Sequence, residues 1–170
     1  MKISIVIPIY NEVSTIQQVI DEVKAAPVVG HEKEIILVDD FSTDGTKDLL
    51  REIADPSWRI IFHGKNQGKG AALHSGFAAA SGDIVVIQDA DLEYDPKEIP
   101  IVVQPILDGK AKVVYGSRYL KPNQSLGYWH SLFNKLFTHA GNILIGQTIT
   151  DLMTCYKAFD REVLDKIIPI

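Results

Sequence analysis

Short, strongly apolar runs punctuate the chain, and between them apolar positions recur with helical spacing. Ile3 to Ile9, Glu34 to Val38, Trp58 to Phe62, Asp83 to Ile87 and Lys112 to Tyr115 read as strands. Their apolar residues are continuous rather than alternating, the mark of strands buried on both faces. Between the first two runs, Ile16, Val19, Ile20 and Val23 fall at i, i+3, i+4 and i+7. Ser14 and Gln17 have capping-box spacing there, and Pro27 and Gly30 stop the helix. A second helix is expected through Leu49, Leu50 and Ile53, capped by Asp40 or Ser42. A small-residue helix is expected from Ala71 to Ala80, and another helix starts at Asp95-Pro96 and is broken or kinked by Pro100 and Pro105.

Strands alternating with helices predict an α/β domain with a mostly parallel sheet and helices on both faces, a Rossmann-like nucleotide-binding core. In such sheets ligands gather at the carboxyl ends of the strands. Those ends carry Glu12, Asp39, Asp40, Asp89, Asp91 and Arg118.

Composition narrows the classes. At 170 residues the chain fits a single domain, residues 1–170. A net charge of −5 disfavours a nucleic-acid partner, which requires a basic surface. The single Cys155 excludes an internal disulfide framework and fits a reducing, cytoplasmic setting. No apolar run is long enough to span a bilayer, and the N-terminal stretch ends at Pro8, too short for a signal peptide.

Asp89-x-Asp91, with Glu93 beyond, follows an apolar strand. Chance alone supplies about one Asp-x-Asp in a chain with this much Asp. Three acids at a strand end, however, repel one another unless a hard cation such as Mg²⁺ or Mn²⁺ joins them. Asp39 is a candidate acceptor for a nucleobase N–H. Pro8 to Glu12 reads either as a turn or as a base-and-ribose cradle. Gly64 to Gly70 matches neither a P-loop nor a dinucleotide fingerprint. It is either a plain connection or a set of backbone N–H groups, with Lys69, near a nucleotide. Arg118 either clamps a phosphate or pairs with a nearby acid. Thr150 to Phe159 reads either as a buried strand with Asp151 capping a turn or as part of a site. Trp129, Leu132, Phe133, Leu136, Phe137, Ala140, Ile143 and Leu144 form a helical stripe, flanked by Lys121, His130, Lys135 and His139. Such stripes are usually core, and the alternative here is a helix lying on a membrane surface.

Taken in order, these segments resemble the family 2 glycosyltransferases with a GT-A fold. Within that family the likeness is to dolichyl-phosphate mannosyltransferases and polyprenyl-phosphate glucosyltransferases. It rests on Val6 to Glu12, Val38 to Thr46, Asn66 to Ala71, Gln88 to Glu93, Gly116 to Arg118 and Thr150 to Phe159. The resemblance implies an inverting transfer of a hexose from a nucleoside-diphosphate sugar to a lipid-linked phosphate, with Mg²⁺ or Mn²⁺. It implies that Pro8, Tyr10, Glu12 and Asp39 hold the nucleoside, with Lys69 and Ala90 beside it. Asp89 would contact nucleotide and metal, and Asp91 and Glu93 would be metal-side. Arg118 would face phosphate, and Asp151 would act as a base or orienting acid. Lys157 stands where relatives often carry Arg. Alternatives are a hydroxyl acceptor such as a glycan, a non-catalytic nucleotide-sugar-binding subunit, or a nucleotidyltransferase. Many relatives continue into membrane-spanning helices, so the expected setting is cytoplasmic or peripheral on the cytoplasmic membrane face.

Overall fold

The computed structural model describes residues 1–28, 30–120, 128–146 and 148–168. A six-stranded sheet runs through it in the order β3-β2-β1-β4-β6-β5. Its strands are β1 (Lys2–Ile9), β2 (Glu32–Asp39), β3 (Trp58–Phe62), β4 (Ile84–Ile87), β5 (Val113–Tyr115) and β6 (Lys157–Asp160). β1 pairs in parallel with β2 and β4, and β2 with β3. β6 is antiparallel to both β4 and β5. The helices are α1 (Ile16–Ala25), α2 (Thr46–Glu52), α3 (Lys69–Ala79), α4 (Ile99–Leu107), α5 (Tyr128–Ile145) and α6 (Arg161–Ile167).

Alternation along β1 divides the core. Ile3, Ile5, Ile7 and Ile9 face α1 and α4, meeting Ile16, Val19, Ile20, Ile99, Val102 and Val103. Val6 faces the other way, with Ile36, Val38, Val85 and Ile87, against Ala72 and Phe77 of α3 and Leu164 of α6. Each fully buried aliphatic of this kind contributes up to about 1.5–3 kcal/mol. Gly76 lets α3 lie close on the sheet, since a Cβ there would stand 2.3 Å from Val6 Cγ1.

Several local expectations are corrected. α1 begins at Ile16 with Thr15 as N-cap, so the Ser14–Gln17 box does not form. Gln17 instead bonds Asp21 on the same face, while Thr15 Oγ1 donates to Glu12 Oε2 at 2.6 Å. The far end of α1 is closed by Lys33, whose Nζ donates to the carbonyls of Val23, Lys24 and Ala26 at 2.6–2.8 Å. α2 is capped by neither Asp40 nor Ser42; Gly45 is its N-cap and Asp44 accepts from Thr46 N at 3.0 Å. Asp95 does cap, accepting from Lys97 N, but it opens a 3-10 turn that runs into α4. The segment from Thr150 is turns until Lys157, so only its end is strand.

The α5 stripe is not core. Thr138 is buried, its Oγ1 accepting from Leu152 N at 3.1 Å, and Asn142 exchanges two bonds with Ile149. Gly141 abuts Leu152. This small and polar face meets the protein, so Leu132, Phe133, Leu136, Phe137, Ile143 and Leu144 are turned outward and exposed. Lys121 and the side chains of Trp129 and His130 lie outside the described residues.

Candidate functional site

The carboxyl ends of β1, β2 and β4 open into one cavity of about 360 Å³. That volume falls within the range of small-molecule sites. Its lining includes Pro8, Tyr10, Glu12, Lys69, Asp89, Ala90 and Asp91, all expected from the sequence. It also includes Asp40, one of the strand-end acids, and Asn66 and Gly68 of the loop expected to be either a plain connection or near a nucleotide.

The loops around the cavity are stitched together. Beyond β1, the backbone N–H groups of Asn11, Glu12 and Val13 donate to Ser42 Oγ, Thr46 Oγ1 and Asp44 Oδ2 at 2.9–3.1 Å. Asn11 Oδ1 in turn accepts from Thr43 N at 2.8 Å. Asn11, Phe41 and Leu92 have φ of 58°, 67° and 62°, each in a loop after one of the three strands. Left-handed backbone at Phe and Leu is a cost that the surrounding hydrogen bonds must hold, and such residues cluster at sites.

Asp39 is fully buried at the end of β2, where its carboxylate accepts weakly from Ser42 N at 3.3 Å. It does not line the cavity. Asp40 does, and it clamps the glycine-rich loop by accepting from Gln67 N at 3.0 and 3.1 Å and from Gly68 N at 2.7 Å. His63, also buried, donates from Nδ1 to Asp40 Oδ1 at 2.7 Å and meets Ser75 Oγ through Nε2 at 2.9 Å. Burial opposes ionisation of Asp40, but the bonds from His63, Gln67 and Gly68 outweigh it and hold the carboxyl below its ordinary value. The loop thus enters α3 in fixed register, with Gly68 at φ 86° as N-cap. His63 had been assigned no role. Its signal in the sequence is its place directly after β3.

On the β4 side, Gln88 is buried and its Nε2 donates to the carbonyls of Asp89 and Tyr94 at 3.2 and 2.9 Å. Asp89 is nearly buried, and Lys69 Nζ stands 2.6 Å from its Oδ1. That oxygen has no hydrogen-bond partner of good geometry. Asp91 is exposed at the rim and accepts from Glu93 N at 3.0 Å. Asp89, Asp91 and Glu93 do not form the expected three-carboxylate set. Among the described residues no group of three or more His, Cys, Asp and Glu converges on a metal position. Glu93 is drawn aside, its Oε1 accepting from Arg118 Nη1 at 3.1 Å. A buried carboxylate whose present neighbour is a half-exposed ammonium, next to a rim carboxylate, still fits Mg²⁺ or Mn²⁺. Mg²⁺ commonly takes only one or two protein carboxylates plus substrate phosphates.

Arg118 and Asp151 lie outside the cavity lining. Asp151 is fully buried and bound on both oxygens: Arg118 Nε to Oδ2 at 2.8 Å and Nη2 to Oδ1 at 3.1 Å. Hydrogen bonding to Asp151 raises the guanidinium's pKa above its ordinary value despite desolvation. The acid-pairing alternative for Arg118 is therefore present. Tyr94 stacks on Tyr156 with centroids 5.3 Å apart, and its hydroxyl accepts from Cys155 N at 3.2 Å. The loop bearing Asp91 and the segment bearing Asp151 are thereby one unit.

The Glycosyl transferase family 2 model matches residues 4–168. The chain is 31% identical over 172 residues to a dolichol-phosphate mannosyltransferase of Pyrococcus furiosus, covering 98% of this chain and 48% of the relative. It is 35% identical over 174 residues to an undecaprenyl-phosphate 4-deoxy-4-formamido-L-arabinose transferase of Pectobacterium carotovorum, covering 98% and 51%. The chain thus spans about half the length of these curated relatives. Among solved structures it superimposes on Mycobacterium tuberculosis glucosyl-3-phosphoglycerate synthase in complex with Mn²⁺, UDP and glucosyl-3-phosphoglycerate. The TM-score is 0.74 at 29% identity, covering 96% of this chain and 58% of that one. The likeness identifies the fold as GT-A.

Proposed function

Since the chain belongs to glycosyl transferase family 2, we propose that it is the catalytic domain of an inverting hexosyltransferase using a nucleoside-diphosphate sugar and a polyprenyl or dolichyl phosphate. The carrying observation is the cavity where Asp89, Asp91 and Lys69 meet Pro8, Tyr10 and Glu12 at the strand ends. Two of the relatives are named as lipid-phosphate sugar transferases, and the solved relative holds Mn²⁺ and UDP.

In this reading Tyr10, exposed at the mouth, and the loop from Asn11 to Val13 receive the nucleoside. Asp39, the proposed acceptor for a base N–H, is fully buried at the end of β2 and would have to exchange its weak Ser42 bonds for that contact. Gly68 and Lys69 face the diphosphate. Asp89 and Asp91 would hold Mg²⁺ or Mn²⁺, which supplies charge stabilisation to the departing diphosphate. Arg118, paired with Asp151 and Glu93, is the proposed contact for an acceptor phosphate, which would replace Glu93 on the guanidinium. An acceptor phosphate is already anionic, so the chain need not remove a proton from it.

The exposed apolar face of α5 supports a lipid-linked acceptor. The helix itself, through its inward face, lies beside residues flanking the Arg118–Asp151 pair: Lys135 Nζ lies 5.7 Å from the ring centroid of Tyr119, and Thr138 binds Leu152. No described helix is long and apolar enough to cross a membrane.

The test is transfer of labelled sugar from UDP-glucose or GDP-mannose, with Mn²⁺, to undecaprenyl phosphate, undecaprenol and 3-phosphoglycerate in parallel. Label on the lipid phosphate alone is expected. Label on undecaprenol would favour a hydroxyl acceptor, and label on phosphoglycerate alone would move the acceptor to a soluble phosphorylated compound. Donor binding without transfer to any acceptor would favour a non-catalytic partner subunit.

A further inference from the structure

Two cations have a claim on Asp89 and would repel each other there, so they compete for its carboxylate. Lys69 Nζ is 2.6 Å from Oδ1, and the Asp89 side chain is 6% exposed. A divalent cation bound to that oxygen would lie at about 2.0–2.1 Å from it for Mg²⁺, inside the ammonium's contact. A buried carboxylate without a counter-charge is costly, so the Lys69 pairing stabilises the site. The two partners differ in freedom. Asp89 is fixed by β4 and by Gln88 on its own carbonyl, whereas the Lys69 side chain is 47% exposed. Lys69 also has a second neighbour to turn to, Cys155 Sγ at 3.2 Å. Its backbone, by contrast, is held through the Asp40 clamp on Gln67 and Gly68.

We propose that Lys69 is an internal counter-ion of Asp89 that excludes a divalent cation until a nucleoside diphosphate draws the ammonium away. The inference rests on reading the cavity as a metal and diphosphate site. Partners are exchanged without leaving a charge bare: Lys69–Asp89 and cation–diphosphate become cation–Asp89 and Lys69–phosphate. A diphosphate offers the ammonium several anionic oxygens in place of one. Lys69 therefore opposes the metal alone and favours the metal together with diphosphate, two effects of opposite sign from one side chain.

Mn²⁺ binding is measured by the electron paramagnetic resonance of free Mn²⁺, without nucleotide and with UDP or GDP, on wild type, Lys69→Met and Lys65→Met. Lys65 is an exposed lysine of the same loop and controls for general loss of positive charge. Lys69→Met should bind Mn²⁺ alone about three- to fivefold tighter than wild type, the upper scale of one partly exposed ion pair. With saturating diphosphate it should bind Mn²⁺ no tighter than wild type. Lys65→Met should stay within about twofold of wild type in both conditions. Unchanged or weaker Mn²⁺ binding by Lys69→Met, or equal tightening by Lys65→Met, overturns the proposal and leaves the functional reading standing if wild type still binds Mn²⁺ with diphosphate. Failure of wild type to bind Mn²⁺ with either diphosphate overturns both.

Discussion

Asp151→Asn separates an orienting acid from a catalytic base. The wild-type carboxylate is fully buried and accepts three bonds from Arg118: backbone N at 3.2 Å, Nε at 2.8 Å and Nη2 at 3.1 Å. Asn keeps the shape and one acceptor but turns an NH₂ toward a guanidinium that is 12% exposed. Removing one member of a buried ion pair costs about 3–5 kcal/mol. Arg118 retains Glu93, which is 42% exposed, so the cost here should be about 2–3 kcal/mol. For a domain of this size that lowers Tm by about 4–12 °C. Because both carboxylate oxygens are already engaged, the rate of transfer to a phosphate acceptor should fall by about tenfold or less. Loss of a general base typically costs 10²–10⁴-fold. The assay is steady-state transfer across pH, well below the variant's Tm, with donor binding measured separately. The predicted pattern is a modest loss, expressed mainly in KM for the acceptor, with the acid limb of kcat/KM unchanged. A thousandfold loss of kcat, with the acid limb abolished in a folded variant that binds donor, would refute it and favour a hydroxyl acceptor.

Two other changes probe the scaffold and the loop clamp. Glu34 is mostly buried, but bonds from Ser4, Ser81 and Lys2 overcome desolvation and lower its pKa from 4.5 to about 2. A depressed carboxyl stabilises the fold above its unfolded pKa and loses that contribution as pH falls through the folded one. Glu34→Gln should therefore cost about 2–3 kcal/mol at pH 7, and the gap from wild type should close between pH 4.5 and pH 2 in urea titrations; a constant gap would contradict the assignment. His63→Ala removes one donor to Asp40 and loosens the loop at Gln67 and Gly68, so donor KM should rise about five- to tenfold with a smaller change in kcat. Unchanged donor KM would show that the clamp does not position the nucleotide.

The strands were legible because parallel strands buried on both faces are apolar throughout, and their polar ends mark the site. Glu12, Asp89 and Asp91 are marked that way, whereas Pro8 and Tyr10 are assigned by the family resemblance; all five line the cavity. The choice between Asp39 and Asp40 was not legible. Adjacent side chains on a strand point to opposite faces, and only the assembled sheet shows which one faces the cavity. His63 was missed because its partners, Asp40 and Ser75, are 23 and 12 residues away. Glu93 was assigned to the metal because nothing local reveals Arg118, 25 residues on, as a competing cation. Helical spacing in α5 established an apolar face but not its direction, which Thr138, Gly141 and Asn142 decide by packing on residues 149–152.

The central claim is metal-dependent binding of a nucleoside-diphosphate sugar by Asp89 and Asp91. The direct measurement is thermal unfolding of wild type and Asp91→Ala with UDP-glucose or GDP-mannose, each with Mn²⁺ or with EDTA. A ligand at about one hundred times its Kd adds about 2.7 kcal/mol, which is about 5–10 °C here. One of the two donors should raise the wild-type Tm by that amount with Mn²⁺. EDTA or Asp91→Ala should remove most of the shift. An equal shift in EDTA, or none from either donor at millimolar concentration with Mn²⁺, would contradict the account.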